Sequence, residues 1–296
     1  VDHRCQSPNV YFPSEGLVIM SRIFKYAFII FWTLFVLAPL SWALVTSFKT
    51  PAAVNQGATF IPWVQFDPTL DGWQDILGIS GYANLIPNMI NSMIITFFAS
   101  LISVTLGGLA AYGLSRFRYG WKYYGNSDII FFFIAQRILP PVVLAIPFFL
   151  LLKNLQLLDT HLGLILVLTS GLMPIIVWLM VDFFNQIPRE IDEMAMLEGC
   201  NPFQAFRKAI LPLSKPGIAI SAIFAVIFGW NDLFFALVLT FTKVKTLPAA
   251  VVALNGTVTP FWTLAASAIF SILPLLGFVF VVERYLAKGG FSGAVR

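Results

Sequence analysis

Charge is scarce in these 296 residues: Asp, Glu, Lys and Arg together make up 11%, where a soluble domain carries about 25%. So thin a supply cannot coat a water-facing surface, which excludes an ordinary cytosolic enzyme. Cysteine and histidine are scarcer still, being limited to Cys5, Cys200, His3 and His161. With no C-x-x-C pair and no ligand spacing, these four residues give no disulfide framework, metal cluster or redox centre. The phosphate-binding run G-x-x-x-x-G-K-[ST] is absent, as are an H-E-x-x-H helix, paired carboxylates near a base and a usable Ser-His-Asp set. No catalytic, metal-binding or cofactor-binding residue is assigned, and the chain is read as non-catalytic.

Apolar groups are abundant instead. Hydrophobic residues make up 58% of the chain, with 30 Phe and 8 Trp, and the mean hydropathy is +0.85. One aqueous core of this length cannot hide them all, so they must largely face lipid. The long uncharged gaps predict an all-α polytopic membrane protein with six spans, at roughly 26–47, 90–114, 129–152, 162–184, 217–240 and 263–285. The first run is too long for a signal-peptide core and lacks a small-x-small cleavage site, so it reads as a retained helix. With the N-terminus inside, thirteen Lys and Arg lie on the inner side, while Lys49, Lys153, Lys243 and Lys245 lie outside. That bias places both termini in the cytoplasm. The net charge of +4 is thus topological and implies no nucleic acid partner.

The chain divides into a cytoplasmic tail over 1–25, a membrane domain over 26–285 containing an inner loop at 185–213, and a cytoplasmic tail over 286–296. Residues 1–19 are polar and precede Met20-Ser21-Arg22, which reads as an upstream-start extension or a disordered tail. The outer segment from Lys49 to Pro87 carries Pro62, Trp63, Pro68 and Trp73. Its length and aromatic content fit a docking surface or an interfacial aromatic belt equally well. Gly107, Gly108, Ala110, Ala111 and Gly113 in the second span permit close helix approach, to a neighbouring span or to a partner.

The inner loop reads as two short helices. Pro188 opens the first, Glu190, Asp192 and Glu193 complement its positive end, and Gly199 can adopt the left-handed conformation that stops it. Asn201 and Pro202 start the second, which Pro212 is expected to close. Phe203, Phe206 and Ile210 form an apolar stripe. Such a pair can lie in the headgroup layer, pack on the protein's own spans, or dock a partner.

The run Glu193-Met194-Ala195, then Gly199, then Leu211-Pro212 resembles the EAA loop of ABC importer permeases: E-A-A, three residues, G, nine residues, I, one residue, L-P. Met194 departs from the pattern, as does Ala209 at the isoleucine position, where Ile210 follows. Asn91-Ser92, Gly107 through Phe117, Leu157 through Thr160, Trp230-Asn231-Asp232 and the tail from Gly289 to Val295 are similar to the maltose-type (MalG-like) carbohydrate permeases. The resemblance covers about residues 20 to 296. It implies a type I ABC importer permease fold in a bacterial inner membrane and a second homologous permease as partner. It also implies two ABC ATPase subunits that hold ATP and Mg, an extracytoplasmic solute-binding protein and a carbohydrate substrate. By the same resemblance Glu193, Ala195, Gly199, Leu211 and Pro212 belong to the ATPase-coupling helix, with Phe203 and Phe206 as apolar contacts by periodicity.

Two charges fall inside predicted spans and are site candidates for that reason. Arg137 lies roughly 12 Å from the inner end of its span and Asp232 roughly 22 Å from that of its own. The difference of about 10 Å is a long reach for a direct ion pair. Gln136 and Arg137, followed by Pro140-Pro141, either satisfy carbonyls freed by the prolines or line the transport path, where an Arg would also admit an anionic sugar. Trp230, Asn231 and Asp232 suit a sugar's C–H face and hydroxyls, or an outer gate. The competing class is a self-contained secondary transporter or channel with Arg137 and Asp232 as an ion or proton relay. The inner helix pair argues against it, because a self-contained transporter needs no such element.

Overall fold

The computed structural model describes residues 15–55, 59–81, 83–120, 125–255 and 259–285. The segments 1–14 and 286–296, with Cys5, His3 and the Gly289–Val295 motif, lie outside the described residues. In chain order the helices are α1 (Glu15–Thr46), α2 (Pro51–Asn55), α3 (Asp71–Ile76), α4 (Ile86–Arg116), α5 (Asn126–Ala135), α6 (Pro141–Asn154) and α7 (His161–Asn185). There follow α8 (Glu190–Leu197), α9 (Pro202–Ala205), a π turn (Phe206–Ile210), α10 (Leu211–Leu213), α11 (Lys215–Trp230), α12 (Phe234–Leu239), α13 (Leu247–Asn255) and α14 (Phe261–Tyr285). Among the described residues the only β pairings are two isolated bridges, Pro62 with Phe66 and Leu77 with Asn84. Part of the polar segment before Met20 is therefore helical, since α1 already begins at Glu15.

Four helices are long and apolar enough to cross a membrane: Arg22–Thr46, Ile86–Arg116, His161–Asn185 and Phe261–Arg284. The third and fifth predicted spans are each broken. Between α5 and α6 the chain turns through Gln136–Pro140, because consecutive prolines withdraw two N–H donors and push the residue before each of them out of the helical region. The fifth is interrupted between α11 and α12 at Asn231–Leu233, and it is preceded by a bend of 80° between Pro202–Leu213 and Lys215–Trp230.

The core is built on α4 and α7. Ile95, Ala99, Ala111, Leu172, Ile176, Val177 and Met180 are buried along their contact, and α11 joins through Ala225. Gly107 makes the close approach possible, since a Cβ there would stand 2.9 Å from Ile176 Cγ2. At the far end from Arg116, a smaller core joins Ile76, Leu85, Trp230, Leu247, Ala266 and Phe270. It holds α3 against α14, with Thr263 Oγ1 donating to Asp75 Oδ2 at 2.6 Å. The 49–87 segment is thus partly folded onto the bundle: Trp73 donates to Ser47 Oγ at 3.3 Å, while Trp63 stays exposed.

Candidate functional site

The 185–213 loop folds as a run of short helices fastened to the Arg116 end of α4. Asp192, in the first turn of α8, is buried and accepts from Tyr112 Oη at 2.7 Å. Its other oxygen pairs with Arg116 Nε at 2.7 Å. Two bonds flank this pair, one from the Arg116 guanidinium to Ile187 O at 3.0 Å and one from Arg189 to Ser115 O at 2.9 Å. A buried carboxylate is tolerated because an ion pair and a hydroxyl satisfy it. These contacts tie the first turn of α8 directly to the end of α4. Sequence reasoning treated Asp192 as a helix-end charge and Arg116 as a topological one, and no spacing signalled that the two meet.

Gly199 stops α8 with φ at +89°, a region where a side chain is strained. Asn201 then caps α9, accepting from Gln204 N at 2.8 Å while Gln204 Oε1 accepts from Asn201 N at 2.9 Å. Pro212 does not close this helix as expected. The Leu211 N–H bonds back to Phe206 O, five residues earlier, and this π turn carries the chain through Pro212 to Ser214. Widening the turn relieves the clash a proline would otherwise make with the carbonyl four residues before it. The Ser214 hydroxyl then bonds to Ile210 O and Leu211 O at the bend into α11.

The predicted apolar stripe is divided. Phe206 and Ile210 are 8% and 0% exposed, with Phe206 lying 4.6 Å from the Tyr112 ring centroid, so both belong to the protein's own core. Phe203 is 63% exposed. Together with Met194 and Leu197, the latter 88% exposed, it forms an uncovered apolar ridge around Gly199. Glu193 and Glu198 are exposed beside it, whereas Ala195 and Leu211 are half-buried and Pro212 is exposed.

The break between α5 and α6 opens a second site. Gln136, Arg137, Leu139, Pro141, Leu144, Phe148, Val167, Ser170, Gly171, Pro174 and Phe235 line a cavity of about 360 Å³. The Arg137 guanidinium lies 5.3 Å from the Phe228 ring centroid. The trio at 230–232 does not line this cavity. Trp230 is buried in the smaller core and donates to Ser271 O at 3.2 Å. Asn231 bonds back to Ile227 O at 2.8 Å, and Asp232 Oδ2 accepts from Ala236 N at 3.2 Å, fastening the start of α12. Among the described residues Arg137 and Asp232 form no ion pair with each other, and no group of His, Cys, Asp or Glu could hold a metal ion.

At the end opposite the 185–213 loop, Asp159 gathers the segment after α12. Its carboxylate accepts from the N–H groups of Phe241, Thr242, Lys243 and Val244 at 2.9 to 3.2 Å, and from Thr242 Oγ1 at 3.0 Å. Desolvation alone would raise its pKa, yet these four backbone donors hold it well below the usual carboxylate range. Asn88 and Asn91 donate to Lys245 O, and Ser92 Oγ accepts from Leu247 N, so α4 pins the same segment.

Residues 103–289, which span the chain from the C-terminal part of α4 through the 185–213 loop to the end of α14, match the family model for the binding-protein-dependent transport system inner membrane component. The chain belongs to this family of transport permeases. It is 33% identical over 266 residues to the trehalose transport system permease protein SugB of Mycobacterium tuberculosis, covering 88% of this chain and 93% of that one. It is 27% identical to the diacetylchitobiose uptake system permease protein NgcG of Streptomyces coelicolor, over 92% of this chain and 88% of that one. Among solved structures it resembles a chain of a bacterial ABC transporter that imports the acidic polysaccharide alginate. The TM-score is 0.71 at 25% identity, covering 93% of this chain and 99% of that chain. The permease is therefore a multi-pass membrane subunit of a transport system, with the all-helical fold of ABC importer permeases.

Proposed function

We propose that this permease forms, with a second related permease, the membrane path of a carbohydrate importer fed by a solute-binding protein. In this reading, the 185–213 loop receives the motion of ATPase subunits that bind ATP and Mg, while the permease binds neither. The observation that carries the reading is the uncovered ridge of Met194, Leu197 and Phe203, held rigidly on α4 by the buried Asp192–Arg116 pair. An exposed apolar patch rimmed by acids on a fixed helix suits a docking partner, and a fixed base transmits displacement into the bundle. The named substrates of the relatives, trehalose, diacetylchitobiose and alginate, are all carbohydrates.

The two broken crossings, α5 with α6 and α11 with α12, complete six spans, with both termini and the coupling loop in the cytoplasm. Movement of the coupling loop tilts α4, and α7 follows because the two share the main core; the cavity lined by α6 and α7 then changes its access. Reconstitution with the partner permease, ATPases and binding protein should give ATP-driven glycoside uptake, and Leu197→Glu with Phe203→Glu should release the ATPase on co-purification. Uptake by this chain alone, driven by an ion gradient without ATP, would overturn the reading.

A further inference from the structure

We propose that the cavity at the break between α5 and α6 receives an anionic glycoside, with Arg137 binding its carboxylate or sulfonate. This rests on the carbohydrate-import reading and adds the charge of the cargo. The ten residues of α5 rise about 15 Å, which places the break near the middle of a hydrocarbon layer about 30 Å thick. A guanidinium at that depth stays ionised, and burying it without a counter-charge is costly. Asp232, the other charge inside a predicted span, is committed to the start of α12. Among the described residues the Arg137 side chain has a ring face as its partner and no carboxylate. Its donors are left for whatever enters the cavity.

A second feature has the same sign. Pro141 and Leu144, in the first turn of α6, line the cavity. This 14-residue helix therefore turns its positive end toward the space beside Arg137. Broken membrane helices that direct an N-terminus at a bound anion are an established way to hold charge at this depth. The remaining walls suit a sugar. Gln136 and Ser170 offer groups for hydroxyls, while Phe148 and Phe235, packed edge to face at 5.8 Å, offer apolar surface to ring C–H groups. At about 360 Å³ the space lies within the usual range of small-ligand sites, about 300–1,000 Å³. A neutral glycoside would use the amide and hydroxyl but leave the guanidinium charge unanswered.

The test uses the complete importer in proteoliposomes with internal ATP. The labelled probes are trehalose, a glucuronate-containing disaccharide and a glycoside bearing a sulfonate. Uptake of an anionic probe and not of trehalose is expected. Arg137→Gln should lower that uptake tenfold or more, and Arg137→Lys, which keeps the charge but not the bidentate fork, should lower it less. Co-purification of the partner permease with each variant checks assembly. Uptake confined to trehalose overturns the inference and leaves the carbohydrate reading standing. So does anionic uptake that Arg137→Gln leaves unchanged. Loss of the partner permease in Arg137→Gln, restored in Arg137→Lys, also overturns it, because the charge then serves a subunit interface. Failure to import any glycoside counts against the carbohydrate reading itself and removes this inference with it.

Discussion

Three aspartates that look alike as letters do three different jobs, and their surroundings decide which. Asp192 is buried between Tyr112 and Arg116, Asp159 collects four backbone donors, and Asp232 fastens the start of a short helix. Asp192→Asn leaves Arg116 without its counter-charge, a loss of about 3 kcal/mol for a buried pair. The variant should still insert, but its ATP-driven uptake should fall by more than tenfold, as measured in proteoliposomes. Tyr112→Phe removes a single hydrogen bond worth about 1 kcal/mol and should have the milder phenotype. Asp159 leads to a pH prediction. Its folded pKa is depressed, so its stabilisation is fully present above the ordinary carboxylate value and is lost only as pH falls through the lower folded value. Hydrogen-exchange protection of the Phe241–Val244 amides should therefore be constant from about pH 8 to about pH 5 once corrected for intrinsic rates. Asp159→Asn should reduce it throughout that range by about 2 kcal/mol of local opening energy.

Among the elements, the broken helices matter most. A continuous helix through 136–140 would carry Arg137 on an unbroken helical wall; the two prolines instead turn the chain and leave a cavity beside the side chain. Replacing both Pro140 and Pro141 by Ala should let α5 and α6 merge. Spin labels at positions 131 and 149 would then move toward the separation of about 27 Å expected for 18 helical residues, and uptake should fall with the cavity. The 185–213 loop, which we propose couples to the ATPase, depends on Gly199 in a comparable way. Gly199→Ala forces a Cβ into a left-handed conformation at a cost of about 1 kcal/mol, and Gly199→Asp adds a charge to the ridge. ATPase stimulation by the loaded binding protein should weaken in the first variant and be lost in the second.

For the molecule as a whole, topology is the property most directly open to test. Single cysteines at Lys153 and Lys245 should react with an impermeant thiol reagent in intact cells, whereas cysteines at Arg189 and Lys208 should react only after permeabilisation; the reverse pattern would invert the proposed orientation. Much of this architecture was legible in the linear chain. Runs of uncharged residues locate membrane helices because lipid admits no unpaired backbone or charge, and Gly199, Asn201 and Pro202 mark helix ends because caps are local chemistry. The signal failed where partners lie far apart in sequence. Nothing near Asp159 points to Phe241–Val244, nothing near Asp192 points to Tyr112, and periodicity could not tell that Phe206 would turn inward while Phe203 stayed exposed. By itself, then, the sequence determined that this protein is helical, spans lipid and carries a capped helix pair of the permease type, since those features follow from solvent and local backbone geometry. Only the tertiary structure decided which charges are paired inside the protein and which, like that of Arg137, meet no carboxylate among the described residues, because burial and pairing depend on contacts between segments far apart in the chain.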